Sequence, residues 1–375
     1  MPASVAPKPV PQARPTSGRE FIGWDSPILS QTVERLFEVY AAGSVWDVRD
    51  QVVVLPSAFA GRRLAELLAL RAEQAKVVLY PPEIVTVGAL PERLYRARHP
   101  FASDIVQQLA WMQVLQESPA DDLAQIVPVR PTPSMTGSWL ELSKVLSTVH
   151  RELASERLNF SLVAEALHDH VELPRWQALA RMQRRYLDHL DALGLWDIQT
   201  ARLCALDFEE ATTEKQLLVV GCVDLNPTQR GFLAAVSDQV EIWIAAPEEH
   251  SELFDEFGCL ASERWKTVEV ELPPNSLFVG NTPADQAELT AACLAELGSD
   301  FHVREVTLGV PDRSLVAEMK HQLKLVGLDA RHGAGNPLTQ SEPAVLLSLI
   351  GKYLDNRSYP AFAALVRHPA VGNLL

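Results

Sequence analysis

The pattern of apolar and polar positions predicts an α/β protein with short, buried strands. Short apolar runs bounded by turn residues are typical of strands that are covered on both faces of a sheet. Stretches with helical spacing follow most of these runs, and this alternation favours a parallel sheet. The predicted strands lie at residues 20–24, 51–55, 84–87, 217–221, 240–245, 278–281 and 305–310.

Helical spacing dominates the chain between residues 102 and 205. Its apolar stripes, such as Trp139, Leu142 and Leu146, indicate a packed core and not a cofactor site. The predicted helices in this block are 102–117, 139–154, 160–170, 174–193 and 199–206. Further helices are predicted at 28–40, 58–73, 228–235, 283–297, 312–326, 342–354 and 358–367.

Composition is that of a globular protein with two or three domains. The chain has 375 residues, of which 47% are hydrophobic and 22% are charged. No apolar run is long enough to span a membrane. Residues 1–18 are rich in Pro, Ala and Ser, which predicts a disordered tail and not a signal peptide.

The cysteines bear on the cellular compartment, and the net charge bears on the way in which the chain could bind DNA. The four cysteines are far apart and form no Cys-x-x-Cys, so we expect reduced, buried thiols in a cytoplasmic protein without a zinc or iron–sulfur site. They are Cys204, Cys222, Cys259 and Cys293. The net charge is −15, whereas nucleic-acid-binding proteins usually lean basic. Any contact with DNA would therefore be local or left to a partner.

The stretch 216–233, QLLVVGCVDLNPTQRGFL, reads as a buried strand, a turn and a helix. It resembles the second motif of the UvrD-like helicases, where a strand ends in Asp-Glu and continues into Gln-Asp-Thr-Asn-Pro-x-Gln. Val220 and Gly221 stand in place of the two acids. The residues that match are Asp224, Asn226, Pro227 and Gln229. The alternative is the strand–turn–helix of an unrelated α/β domain.

The missing acids remove the chemistry of that motif. An NTPase holds Mg²⁺ through few protein oxygens and several waters, and a carboxylate at the strand end anchors this shell. A second carboxylate orients the attacking water. Val220 and Gly221 offer neither group, so we expect the frame of a metal-binding strand without its metal.

The phosphate loop of those helicases is also replaced. In that family the first strand opens into a Gly-rich loop ending in Gly-Lys-Ser or Gly-Lys-Thr, whose amides and lysine cradle phosphates. Here the loop is Trp24-Asp25-Ser26-Pro27, without lysine or a glycine run. Asp25 would repel a triphosphate, and Ser26 with Pro27 suits the start of a helix.

The units around residues 51–73 and 84–95 resemble the next two helicase motifs, whose loops touch single-stranded DNA. The resemblance implies contacts with the DNA backbone from Ser57, Arg62, Arg63 and Thr86. The alternative is that Ser57 is an N-cap and that the arginines are solvated.

Two further stretches bear on function. Residues 186–200, YLDHLDALGLWDIQT, resemble the helicase pattern Tyr-x3-Leu…Leu-Asp-Phe-x-Asp-Leu-Leu, and Asp197 matches its first acid. Asp255 and Glu256 near His250 could suggest a metal site, but adjacent acids in a loop more often form a solvated turn.

Six stretches in this order resemble the B subunit of AddAB-type helicase–nucleases and related nuclease proteins with a helicase-like front half. The resemblance covers about residues 20 to 375. It implies a RecA-like, P-loop-NTPase-like parallel sheet domain at 19–100 and 207–275, an all-helical insertion at 101–206, and the start of a second RecA-like domain at 276–375. A PD-(D/E)xK nuclease domain with Mg²⁺, and in part of the family an iron–sulfur cluster, would follow. We therefore expect this chain to be an N-terminal portion.

The expected function is that of a helicase-like scaffold in DNA double-strand-break repair, without NTP hydrolysis or a cofactor of its own. It would guide single-stranded DNA by local contacts and hold an AddA-type helicase subunit. One alternative is an active ATPase with an unconventional phosphate loop. The other is a docking module that never touches DNA, which the net charge of −15 favours.

Overall fold

The computed structural model describes residues 18–269, 272–274, 276–298, 301–303, 306–333, 335 and 337–372. The predicted disordered tail lies outside the described residues except for Gly18, which already belongs to a strand. Contacts divide the chain into a first unit, Met1–Val268, and a second unit, Glu269–Leu375.

A five-stranded sheet forms the centre of the first unit. The described strands are β1 (Gly18–Phe21), β2 (Ala41–Ala42), β3 (Val45–Asp47), β4 (Gln51–Leu55), β5 (Val78–Tyr80), β6 (Glu83–Thr86), β7 (Gln216–Val220) and β8 (Val240–Ile244). The large sheet has the order β1-β8-β7-β4-β6, and every neighbouring pair is parallel. This confirms the α/β class and the parallel sheet.

The strand register brings the carboxyl ends of all five strands to one side of the sheet. Val54 pairs with Val85 on one side and with Val219 on the other, and Val219 pairs with Ile242. We call the side where the chain leaves these strands the carboxyl edge; it carries residues 22–27, 56–63, 86–90, 221–226 and 245–250. Ligands of open α/β sheets bind at this edge.

Helices cover both faces of the sheet. The described helices of the first unit are α1 (Ile28–Tyr40), α2 (Ala58–Ala75), α3 (Pro91–Leu94), α4 (Asp104–Glu117), α5 (Ala120–Ala124), α6 (Thr136–Ser155), α7 (Phe160–Ala166), α8 (Leu173–Ala192), α9 (Ile198–Asp207), α10 (Pro227–Ala235) and α11 (Ser262–Trp265). On one face, Leu36 of α1 and Leu64 of α2 pack against Val53 and Leu218. On the other, α9 and α10 pack against the alternate residues of β4 and β7.

Helices α4 to α8 share a separate aromatic core. Trp111, Phe160 and Tyr186 are completely or almost completely buried there, and the rings of Trp111 and Tyr186 stack with centroids 4.3 Å apart. The predicted helices of this block are confirmed with shifted ends. The helix predicted at 160–170 ends at Ala166, and Asp169 beyond it has a left-handed φ of 57°, which does not fit a continued helix. The short helix α5 was not predicted.

A small second sheet, of order β2-β3-β5, was also not predicted. Its strands have two or three residues, too few for an alternating pattern to show. The buried Trp46 holds this sheet to α1, because its indole N–H donates to the carbonyl of Leu36 at 3.0 Å.

The second unit is helical in its described residues. It contains α12 (Pro283–Glu296), α13 (Val316–Leu325), α14 (Glu342–Asp355), α15 (Tyr359–Val366) and α16 (Pro369–Gly372). The strands predicted at 278–281 and 305–310 do not form: residues 278–281 and 306–310 are irregular, and 305 lies outside the described residues. The described part of this unit offers no strand with which they could pair.

The four cysteines are free, but their burial differs from the prediction. Cys222 and Cys259 are buried, whereas Cys204 is exposed and Cys293 is partly exposed. None of the described helices has the length and apolar character needed to cross a membrane.

Candidate nucleic-acid interface at the carboxyl edge

The loop after β1 lies where the resemblance places a phosphate loop. Backbone pairing with β8 continues into this loop, because the N–H groups of Ile22 and Gly23 donate to Ile244 and Ala246 at 2.9 and 3.0 Å. The Trp24 indole donates to the carbonyl of Ala245, and its ring lies 5.1 Å from the ring of His250. A pair of tilted rings, from the exposed Trp24 and the partly exposed His250, therefore occupies this position.

Ser26 does not cap the following helix. Pro27 occupies the N-cap position of α1, and no side chain caps it. The carbonyl of Ser26 instead accepts from the Gln31 amide at 2.8 Å. The expectation that Ser26 and Pro27 together form the cap is wrong, because the chain turns one residue later than the Ser-Pro pattern suggests.

The end of β7 is closed by hydrocarbon. Gly221 adopts a left-handed φ of +60°, and its N–H donates to Trp243 at 3.0 Å. A Cβ on Gly221 would lie 2.9 Å from Cδ1 of Ile28, the first residue of α1. The side chain of Ile28 therefore packs against Gly221, where the start of α1 meets the end of β7, and the neighbouring Val220 is buried.

Asn226 and Gln229, which match the helicase pattern, form a capping box at the start of α10. The Gln229 N–H donates to Asn226 Oδ1 at 2.9 Å, and the Asn226 N–H donates to Gln229 Oε1 at 3.0 Å. The Gln229 amide also reaches the carbonyl of Val87 at 3.5 Å. Asn-x-x-Gln before a helix is a capping signature in the sequence itself, which reasoning from the helicase motif overlooked. Asp224 is exposed in the preceding turn.

Asp197 lies away from this edge, at the buried N-cap of α9. Its carboxylate accepts from the Thr200 N–H at 2.7 Å and from the Tyr186 hydroxyl at 2.9 Å, and it lies 2.9 Å from His150 Nε2. The Gln183 amide contacts His150 Nδ1 at 2.9 Å. These buried contacts join α6, α8 and α9.

The titration behaviour of this network follows from burial and pairing. Burial alone would raise the pKa of Asp197, but the hydrogen bond and charge of His150 and the hydrogen bonds from Thr200 outweigh it and lower this pKa. Burial raises the pKa of Tyr186, and the charge of Asp197 raises it further. Asp197 is therefore an ionised carboxylate in the interior.

The loops after β4 and β6 lie side by side. The Val87 N–H donates to the carbonyl of Leu55 at 2.9 Å, which holds Thr86 next to the turn at Ser57. Ser57 caps α2, since its hydroxyl accepts from the Ala60 N–H at 3.2 Å. The structure therefore places Ser57 and Thr86 on adjacent loops at the carboxyl edge. Ser57 is also an N-cap, as the structural alternative for this residue expects.

Arg62 and Arg63 are exposed on the first turns of α2, close to this pair of loops. Arg63 forms an ion pair with Glu66 at 3.1 Å, in which both side chains are at least half exposed. The guanidinium carbon of Arg62 lies 6.0 Å from the ring of Phe59. Phe59, which sequence reasoning missed, is exposed despite its size. The spacing of apolar residues along α2 could not reveal this exposure, because an apolar residue on a helix is expected to be buried.

Charge divides the carboxyl edge into two halves. Exposed acids follow the ends of β1, β7 and β8, whereas the exposed arginines follow β4. The acidic half carries Asp25, Asp224, Glu248 and Glu249. We call Ser57, Phe59, Arg62, Arg63 and Thr86 the basic half. A local basic region can therefore coexist with a net charge of −15.

The acids after β8 hold a turn. Asp255 Oδ2 pairs with Arg230 at 2.6 Å, and Asp255 Oδ1 accepts from the N–H groups of Phe257 and Cys259 at 2.9 Å each. Within the described residues, no group of three or more His, Cys, Asp or Glu side chains is arranged to hold a metal ion.

Comparison of the chain with protein-family models and with curated proteins found no match.

Proposed function

We propose that this chain is a helicase-like scaffold that does not hydrolyse NTP and that guides single-stranded DNA in double-strand-break repair. In this proposal the first unit is a RecA-like domain whose basic half contacts the DNA backbone. The chain would also hold a helicase subunit of the AddA type. The order of the sequence motifs supplies the family resemblance, and the carboxyl edge supplies the physical argument.

The packing of Ile28 on Gly221 carries the proposal. Binding of Mg²⁺ and a nucleotide phosphate needs carboxylate oxygens at the end of β7 and a loop of free amides before α1. Here Val220 and Gly221 provide no carboxylate, and the side chain of Ile28 at the start of α1 packs against Gly221. Asp25 adds a negative charge at the same loop. These residues do not fit a magnesium–nucleotide complex.

The basic half supports DNA binding. Arg62 and Arg63 are long cations on one turn, next to a loop pair that offers the hydroxyl groups of Ser57 and Thr86. Cations and hydroxyl groups of this kind contact phosphates and fix the position of a strand without reading its sequence.

Two binding titrations test the proposal. We expect no binding of a fluorescent ATP analogue with Mg²⁺, and we expect binding of a fluorescein-labelled oligothymidylate that weakens with salt. Each phosphate contact contributes about 0.7 to the slope of log K against log salt for single strands. Changing Arg62 and Arg63 to Glu should abolish most of this slope.

The matched control places the same change of charge at the opposite edge. Arg49 precedes β4, and Lys76 follows α2, so both exposed side chains lie near the amino ends of the strands. Arg49→Glu with Lys76→Glu should leave most of the affinity intact. Micromolar binding of the nucleotide would contradict the proposal of a scaffold without NTP hydrolysis and would favour the alternative of an active ATPase. An equal loss in both double variants would show that net charge, and not the basic half, governs binding.

A second candidate function is docking to a protein without DNA contact. The acidic half favours it, because the exposed Trp24 is flanked there by Asp25, Glu248 and Glu249. It predicts that neither the nucleotide nor DNA binds and that the change of Arg62 and Arg63 to Glu has no effect on either measurement.

A further inference from the structure

Phe59 is one of several large apolar residues of the first unit that are exposed, and it lies on the same helix as Arg62 and Arg63. It is 56% exposed, although it lies in the first turn of a helix whose residues Leu64 and Leu68 are completely buried. A single exposed apolar residue is common on a protein surface, so the neighbours of Phe59 decide whether it marks a binding site.

The packing of α2 explains why Phe59 faces outward. Gly61 allows close approach to β6, since a Cβ on Gly61 would lie 3.2 Å from Cγ2 of Ile84. At 100° per residue, Phe59 and Arg63 each lie about 160° around the helix from Gly61. The face that carries them therefore points away from the sheet.

The direction of helical side chains brings the same group to the carboxyl edge. The Cα–Cβ bonds of a helix tilt toward its N-terminus, which for α2 is the end at Ser57. Residues three and four apart are neighbours on a helix surface, so Phe59 lies beside both Arg62 and Arg63. The guanidinium carbon of Arg62 lies 6.0 Å from the centroid of the Phe59 ring, whereas the guanidinium group of Arg63 pairs with Glu66 at 3.1 Å.

We infer that Phe59 is a stacking platform for a base of single-stranded DNA, with Arg62 and Arg63 on the adjoining phosphates. An aromatic ring flanked by cations is the combination by which proteins bind single strands without sequence preference, because every base has a flat π-face. The inference rests on the proposed function and assigns to it a base contact that the sequence did not indicate.

The position of Phe59 provides an internal control. Trp24 lies on the same carboxyl edge and is exposed to the same degree, 57% against 56%, but it belongs to the acidic half. β1 and β4 are three strand spacings apart, which is about 14 Å at roughly 4.8 Å per spacing. If exposure of an aromatic ring were sufficient, Trp24 would contribute as much as Phe59. If phosphate attraction selects the site, Phe59 alone contributes.

The test measures binding of labelled oligothymidylate by Phe59→Leu, Phe59→Tyr and Trp24→Leu, each over a salt series. Leucine keeps the apolar bulk and removes the ring, so Phe59→Leu should weaken binding about tenfold. Its salt slope should stay unchanged, because no charge is altered. Phe59→Tyr and Trp24→Leu should bind like the wild type.

Photo-crosslinking gives a second, independent measurement. An oligonucleotide with 5-iodouracil should crosslink to the tryptic peptide that contains Phe59, and this product should disappear in Phe59→Leu. Wild-type affinity of Phe59→Leu, or an equal loss in Trp24→Leu, would overturn the inference.

The outcomes separate this inference from the proposed function. If Phe59→Leu binds normally while the change of Arg62 and Arg63 to Glu abolishes binding, the inference that Phe59 stacks on a base is wrong and the proposed function is retained. If the wild-type chain binds no DNA, both the inference and the proposed function are wrong.

Discussion

The buried carboxylate of Asp197 should be a major source of stability in the first unit. The hydroxyl and N–H of Thr200 donate to it at 2.9 and 2.7 Å, Tyr186 donates at 2.9 Å, and His150 lies at 2.9 Å. Asp197→Ala would leave the buried His150 and Tyr186 groups and the partly buried Thr200 groups without their acceptor. Breaking a buried pair in this way costs about 3–5 kcal/mol. This is a large part of the free energy of unfolding of a protein, which is roughly 5–15 kcal/mol.

A melting experiment measures this loss. For a unit of this size, each kcal/mol shifts the melting temperature by about 2–4 °C, so Asp197→Ala should melt about 6–20 °C below the wild type. Tyr186→Phe removes one donor and should cost about 1 kcal/mol. The matched control is Asp191→Ala, an exposed position on the same helix as Tyr186, where we expect a change within about 0.5 kcal/mol.

The pH dependence gives an independent check. The pKa of Asp197 is lowered in the folded protein, so its stabilisation is present above the unfolded value of about 3.9 and is lost as the pH falls through the folded pKa. The difference between wild type and Asp197→Asn should therefore be constant near neutral pH and shrink in acid below about pH 4. A melting point of Asp197→Ala within about 2 °C of the wild type would refute the reasoning.

Two further predictions concern the end of β7 and the helix that follows. Gly221→Ala forces a side chain into a left-handed backbone and against Ile28, so it should cost about 2 kcal/mol. Adding Ile28→Ala should recover part of this loss in a double-mutant melting cycle, and strictly additive losses would contradict the contact. Asn226→Ala removes one half of the capping box and should cost about 1 kcal/mol in urea unfolding, whereas Asn226→Ser should cost little; equal losses would argue against the cap.

The fold class was predictable because its signals are local. The apolar runs at β4 and β7 are continuous, as expected for strands buried on both faces, and only the exposed Glu241 interrupts the run at β8. The long helices α6 and α8 repeat an apolar stripe over several turns. The strands predicted in the second unit failed because strand formation needs a neighbour, and an apolar run does not reveal whether a neighbour exists.

The candidate site was predictable only in part. The grouping of Ser57 with Thr86 follows from parallel strands, because their carboxyl ends share one edge. The exposure of Phe59 and the contact between Ile28 and Gly221 depend on which elements become neighbours in space. Gly221 and Ile28 are nearly two hundred residues apart, and no periodicity in the sequence reports that the start of α1 meets the end of β7.

The residues that match the helicase pattern stabilise the fold, whereas the positions that do not match are those where acids would serve only catalysis. Asn226 and Gln229 begin a helix by capping each other's backbone, and Asp197 holds three helices together in the interior. These positions serve the fold whether or not a nucleotide binds. Val220 and Gly221 stand where only chemistry would require acids, and the backbone of Gly221 is left-handed and covered by Ile28. Restoring an acid at Gly221 would therefore strain the backbone before it could supply a ligand, so a match at the structural positions is no evidence for the activity of a motor.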